Sequence, residues 1–366
     1  MRLPRFLIVL AAATAATASG QTPGASWFFA VSGDSRDCGD VIMPKIAHAI
    51  ESRQPRAPVE FYWHLGDFRR MGSVDCDIAK RGDPSYDCRD RPKADPDDIA
   101  RYNAAAWSDF LERQIAPFGK LPVFLGIGNH ELYGGHTREQ YRQTFARWLT
   151  QEPIEGQAGE TWYHWVKNGV DFIALDNAEG SAFPPDEVVW LARILAADAN
   201  NDAIHTIAVG LHAALPFSKS RNHAMDSTCA GRCSGSQVYD MLYRAQKLGA
   251  AHDKRKKVYV FASHSHFFEQ NVYDTPEHAG QVLPGWIIGT AGAEHYGDTI
   301  DYGYLEVEAR PDGTLLPRFR EVDRETPPLL SGPEAQLLTD YCFTKNKRSH
   351  AGDDEWKGDC ACGAVR

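Results

Sequence analysis

The sequence has no internal repeat, no low-complexity stretch and no long basic run. The first two absences exclude solenoid, collagen-like and coiled-coil architectures. Ordinary shares of apolar (43%) and charged (24%) residues exclude a disordered chain. The third absence, with 49 acidic against 39 basic side chains and a formal charge of −10, argues against binding nucleic-acid duplexes or anionic membranes. Beyond the first twenty residues no segment is apolar for long enough to span a bilayer. Nor do the cysteines fall into two closely spaced CxxC halves, the usual arrangement of a structural zinc.

What is present begins with a leader. Arg2 and Arg5 flank a short positive region, Phe6–Ala13 is wholly apolar, and Ala16-Thr17-Ala18 offers small residues for cleavage. Residues 1–20 therefore read as a signal peptide and the protein as secreted or periplasmic. In an oxidising compartment the eight cysteines read as disulfides, with Cys76–Cys88 and Cys229–Cys233 the preferred local pairs. One large domain is expected over residues 21–325, and a cysteine-containing tail over 326–366.

Short apolar runs alternate with helical or polar stretches, which predicts a mixed α/β sandwich. Expected strands include Trp27–Ser32, Val59–Leu65, Leu121–Ile127, Val170–Leu175, Ile204–Gly210 and Lys257–Ala262. Helices are expected after Asp95-Pro96 and after Pro184-Pro185, where a proline suits the first turn. Residues 69–98 break the rhythm with seven Lys or Arg, eight Asp and no apolar period. They read as a charged insertion loop held by Cys76–Cys88, either a solvated loop or a rim over the site.

Chemistry gathers where expected strands end. The first ends in Gly33-Asp34-Ser35-Arg36, the second in Gly66-Asp67, and the third in Gly128-Asn129-His130-Glu131. His212 follows the fifth, and Ser263-His264-Ser265-His266 follows the sixth. Each alone has a dull reading, such as a turn, a cap or a surface histidine. Five strand ends delivering Asp, Asp, Asn, His and paired His form a metal-ligand set. Trp63, Tyr133, His136, Tyr163 and Tyr296 are candidate rim residues.

In this order the motifs resemble the calcineurin-like metallophosphoesterases, whose pattern is D-x-H, GD, GNH(E/D), a later His and GHxH. The match spans roughly residues 27 to 292. The resemblance implies a four-layer α-β-β-α sandwich with two mixed central sheets, and two divalent metal ions (Mn, Fe or Zn) at its edge. Position by position, it implies that Asp34 and His266 hold the first ion, that Asp67 bridges, and that Asn129, His212 and His264 hold the second. His130 matches the residue that contacts phosphate and protonates the leaving group. Two positions depart: Ser263 replaces a glycine, and Arg36 stands where a first-ion histidine is usual. A guanidinium stays protonated and has no lone pair for a metal. The first site is therefore expected to be weaker, and Arg36 reads as a clamp on the substrate phosphate, the rival being an ion pair with Asp37 or Asp40. Phe68, Arg69, Arg70 and Met71 after Asp67 leave no tyrosine of the purple acid phosphatase kind.

The expected activity is hydrolysis of phosphate esters by a metal-bridging hydroxide. The alternatives are a nucleotide-directed phosphodiesterase and, from another class, a metal- and phosphate-binding protein that has lost turnover. A 5′-nucleotidase fits less well, since little chain follows the last motif to form a separate substrate domain.

Overall fold

The structure is a computed structural model that describes residues 24–53, 57–88, 95–149, 160–220, 223–248 and 256–349, together with Cys360 and Cys362. The expected signal peptide lies outside the described residues.

Two mixed sheets form the centre. The first has the order β12-β11-β1-β2-β3, built from β1 (Trp27–Ser32), β2 (Val59–His64), β3 (Val123–Leu125), β11 (Gly303–Ala309) and β12 (Leu315–Glu321). The second has the order β4-β5-β6-β7-β9-β8. Its strands are β4 (Tyr163–Lys167), β5 (Val170–Ala174), β6 (Thr206–Leu211), β7 (Lys257–Ala262), β8 (Phe268–Gln270) and β9 (Gly285–Ile288). Two short strands, β10 (His295–Tyr296) and β13 (Lys347–Arg348), pair with each other outside them. Each sheet contains a parallel run: β1, β2 and β3 in the first, and β5, β6, β7 and β9 in the second. That is why these segments read as continuous apolar runs, since parallel strands are covered on both faces.

The sheets meet through aromatic rings. Phe29 and Phe61 from the first stack 5.2 Å apart, and each meets Phe172 of the second edge-on at 5.1 Å. Phe124 stacks on Trp165 at 4.0 Å across the same gap. Trp63 and Tyr163, expected at a rim, are fully buried instead. Trp63 packs against Trp165, and the Tyr163 hydroxyl donates to the Leu125 carbonyl. Helices cover the outer faces. α1 (Gly39–Glu51) lies on the first sheet, where Met43 meets Tyr62 of β2. α5 (Pro185–Ala199) and α6 (Cys229–Leu248) pack on the second through Leu191, Leu195, Val238 and Leu242. This is the layered arrangement that the resemblance implies.

Residues 69–88 are not a plain surface loop. Arg69, Asp75, Cys76 and Asp77 are fully buried, and α2 (Cys76–Gly82) follows. Arg69 bonds Asp40 at 2.6 Å and Asp77 at 3.1 Å, and also pairs with Asp109. Three of the charges that hid any apolar period, Arg69, Asp75 and Asp77, are buried together and satisfy one another. α3 (Pro96–Phe110) starts as expected, with the Asp95 side chain accepting from the Asp97 N–H.

The Cys76–Cys88 disulfide is present, but Cys229 and Cys233 do not pair. They begin α6 on one face, a helical turn apart, and bond Cys360 and Cys362 respectively. The last pair, Cys38–Cys342, ties α7 (Pro333–Thr344) beside the loop that carries Arg36. α4 (Arg138–Phe145) opens with a capping box, Thr137 with Gln140, and lies near the site. Among the described residues no helix is long and apolar enough to cross a membrane.

Candidate active site

All six expected ligands, with Arg36 and His130, lie at the C-terminal ends of parallel strands from both sheets. Asp34, Asp67 and Asn129 follow β1, β2 and β3; His212 follows β6; His264 and His266 follow β7. Asp34, Asp67 and His264 adopt left-handed backbone (φ 59°, 59° and 65°). Such conformations are costly away from glycine and gather at functional sites. The glycines of the motifs serve close approach. A Cβ on Gly66 would come 2.4 Å from the Gly128 backbone nitrogen, and one on Gly128 would come 2.3 Å from Asp67 Oδ1.

The side chains form two clusters that share Asp67. Ligand atoms of Asp67, His212 and His264 lie within 4.8 Å of one another, and so do those of Asp34, Asp67 and His266. In the first cluster His212 Nε2 stands 3.0 Å from Asn129 Oδ1, 3.0 Å from His264 Nδ1 and 3.3 Å from Asp67 Oδ1. The His212 Nδ1 faces the Leu65 carbonyl and the Ser263 hydroxyl, each at 3.0 Å, so it carries the proton and leaves Nε2 a lone pair. Asn129 Nδ2 donates to the Tyr133 hydroxyl at 3.1 Å, which turns Oδ1 inward. Four lone-pair donors thus face one small space. Two donors each about 2.1 Å from one ion and at right angles stand about 3.0 Å apart, so the spacing suits a divalent cation. Asp34 Oδ1 and Asp67 Oδ2 are buried without a hydrogen-bond partner and belong to the other cluster, where Asp34 Oδ1 lies 3.3 Å from His266 Nε2 and Asp67 Oδ2 lies 3.8 Å from Arg36 Nε.

Without an ion, the carboxylates draw in a proton instead. Burial works against a charged ring, yet Asp67 and Asp34 push His212 up to about 9, so in the ion-free protein Nε2 holds a second proton, which a bound cation would displace. Burial foremost, with Asp67 behind it, lifts Asp34 to about 6 against the pull of His212 and Arg36. Burial would raise Asp67 as well, but His212, His130 and Arg36 together hold it well below the usual carboxylate range.

Arg36 is buried among these groups rather than reaching outward. Its Nη2 lies 2.8 Å from His266 Nε2, its Nη1 2.5 Å from His130 Nε2, and its Nε 3.8 Å from Asp67 Oδ2. The acids of the rival reading are engaged elsewhere, Asp37 with Arg70 and Asp40 with Arg69. Burial, and after it the Arg36 charge, push His130 down to about 4. The ring is therefore neutral at neutral pH and accepts from Arg36.

Several positioning residues escaped the sequence reading. Glu131 accepts from the backbone N–H groups of Asp67, Phe68 and Gly128, each at 2.8 Å, and so locks the second and third strand ends together. Its place in the GNHE run was the available signal. Asn177 Oδ1 accepts from the backbone of His212 and Ala213. Ser263, the departure from glycine, bonds the Leu65 carbonyl and the His212 ring. His223 stacks near His264 and Tyr296, and nothing around it in sequence marks it. Of the expected rim residues, Tyr133 and His136 line a cavity of about 510 Å³ that opens beside Asn129 and His264, while Tyr296 is buried against the His266 ring.

No family model and no curated protein matches the chain. Among solved structures, one described as "Structure of PhoD" superposes with a TM-score of 0.49 at 14% identity, covering 79% of this chain and 65% of that one. A 5′-nucleotidase from Candida albicans SC5314 superposes with a TM-score of 0.45 at 11% identity, covering 86% of this chain and 57% of that one. The chain thus spans less than two thirds of either structure's length.

Proposed function

We propose that the protein is an exported, metal-dependent phosphoesterase that hydrolyses phosphate ester bonds. The observation that carries this reading is the convergence of Asp67 Oδ1, Asn129 Oδ1, His212 Nε2 and His264 Nδ1, two oxygens and two imidazole nitrogens at ligand spacing, next to a buried guanidinium. Export is supported by four disulfides and by the leader pattern in the sequence.

A divalent ion held by Asp67, Asn129, His212 and His264 would neutralise phosphate oxygens and lower the pKa of bound water. The rest falls to the chain's own groups. Arg36 presents a permanent charge and a planar fork to the phosphate. His130, anchored by the Arg70 carbonyl, orients that fork from the leaving-group side. Ser263 and Asn177 fix the His212 ring and backbone. The cavity lined by Leu132, Tyr133, His136 and Arg138 is where the esterified group would lie.

A second reading, a binder without turnover, is favoured by Arg36 holding His266. Parallel assays on aryl phosphate monoesters and diesters across added Mn, Fe and Zn separate the two. Turnover of either ester is expected; metal and phosphate bound without turnover would establish the binder.

A further inference from the structure

The two clusters differ in what already faces their donors. Around His212, the ligand atoms face one another with no arginine or lysine among them. Around His266, the donors face a cation that the chain supplies. His266 Nδ1 lies 2.7 Å from the Glu294 carbonyl, which can only accept, so the proton is on Nδ1 and the lone pair on Nε2. His130 is fixed in the same way by the Arg70 carbonyl. Both Nε2 lone pairs therefore accept from Arg36, at 2.8 Å and 2.5 Å. One of them is the lone pair that an ion among Asp34, Asp67 and His266 would need.

An ion placed there would have to displace the guanidinium from His266 and then stand beside it as a like charge. Arg36 has little room to withdraw. It is 8% exposed, and the acids that could draw it away from the cluster, Asp37 and Asp40, are committed to Arg70 and Arg69. Deprotonation offers no escape either, because guanidinium keeps its charge in proteins.

We infer that the protein has a one-metal centre, in which Arg36, held by His130 and His266, permanently occupies the place of a second ion. The inference rests on the phosphoesterase reading and deepens it. The ion-binding set is Asp67, Asn129, His212 and His264. Asp34 and Asp67 are counter-charges to the guanidinium, and His130 and His266 are positioning residues for it. Arg36 then faces a phosphate with a positive charge that comes from the chain itself and does not depend on metal supply.

The test is metal stoichiometry in the purified protein after dialysis against excess Mn(II) or Zn(II), read by elemental analysis. The wild type should hold one ion per chain, and its Mn(II) form should give the electron paramagnetic resonance spectrum of an isolated ion. His266→Ala should keep one ion, whereas His264→Ala should lose it. Arg36→His, which removes the guanidinium and supplies a ligand, should hold two ions with an exchange-coupled Mn(II) spectrum. Two ions in the wild type, or loss of the ion in His266→Ala, would overturn this inference alone. A single ion in folded Arg36→His would overturn the claim that Arg36 is what excludes the second. No ion in the wild type would overturn both this inference and the metal-dependent reading beneath it.

Discussion

Two arginines are buried close to the same strand ends, and their surroundings differ. Arg69 is ringed by carboxylates from Asp40, Asp75, Asp77 and Asp109. Arg36 has neutral imidazoles on both terminal nitrogens, and its nearest carboxylate oxygen is 3.8 Å away. A charge enclosed by opposite charges is spent on the fold. A charge held by neutral acceptors is fixed in place yet keeps its field for a ligand. The comparison assigns Arg69 to architecture and Arg36 to chemistry, although both are arginines at low exposure.

The largest expected effect breaks the architectural side. Arg69→Met leaves several carboxylates buried without their cation, and stripping one partner from a buried ion pair costs about 3–5 kcal/mol. Denaturant unfolding should show a loss of that size, carrying activity down with the fold. On the chemical side, Asn129→Ala and His264→Ala should keep the unfolding midpoint and lose turnover. The loss should exceed the roughly 10–100-fold that outer partners of metal ligands typically cost. Near-normal rates in either folded, metal-replete variant would remove the metal cluster from the mechanism. Glu131→Gln, which weakens the acceptor for three backbone N–H groups, should fall within that range of about 10–100-fold in kcat. A change of KM alone would mean that Glu131 does not position the strand ends. Arg36→Ala should lower kcat/KM by at least about tenfold, about 1.4 kcal/mol of transition-state stabilisation. Its stability should change far less than that of Arg69→Met. If the two arginine variants gave the same stability loss with no separate effect on kcat/KM, the comparison would collapse.

Much of this was legible in the sequence because strand ends announce themselves. The runs ending at Ser32, Leu65 and Ala262 are apolar, and the polar residues after them have no packing role to explain their type. The Gly-Asp and Gly-Asn pairs carry a geometric requirement, as the Cβ contacts at Gly66 and Gly128 show. What stayed hidden depends on partners distant in the chain. The buried cluster around Arg69 looks like solvent-facing charge until Asp40 and Asp109 are brought to it. The Cys229 and Cys233 pairs look local until α6 turns both toward Cys360 and Cys362. The β4–β5 hairpin was missed despite its Asn168-Gly169 turn, where both residues have positive φ (49° and 77°). The position of Arg36 on the two Nε2 atoms is likewise a fact of three dimensions. The resemblance put Arg36 at the place of a first-ion histidine, but not between His130 and His266.

The most direct measurement is turnover of an aryl phosphate by the purified protein before metal removal, after chelation and dialysis, and after the metal is returned. The account predicts loss of turnover with the ion and recovery on adding Mn(II) or Zn(II), with the fold unchanged throughout. Undiminished turnover in protein whose metal has been brought far below one ion per chain would contradict it.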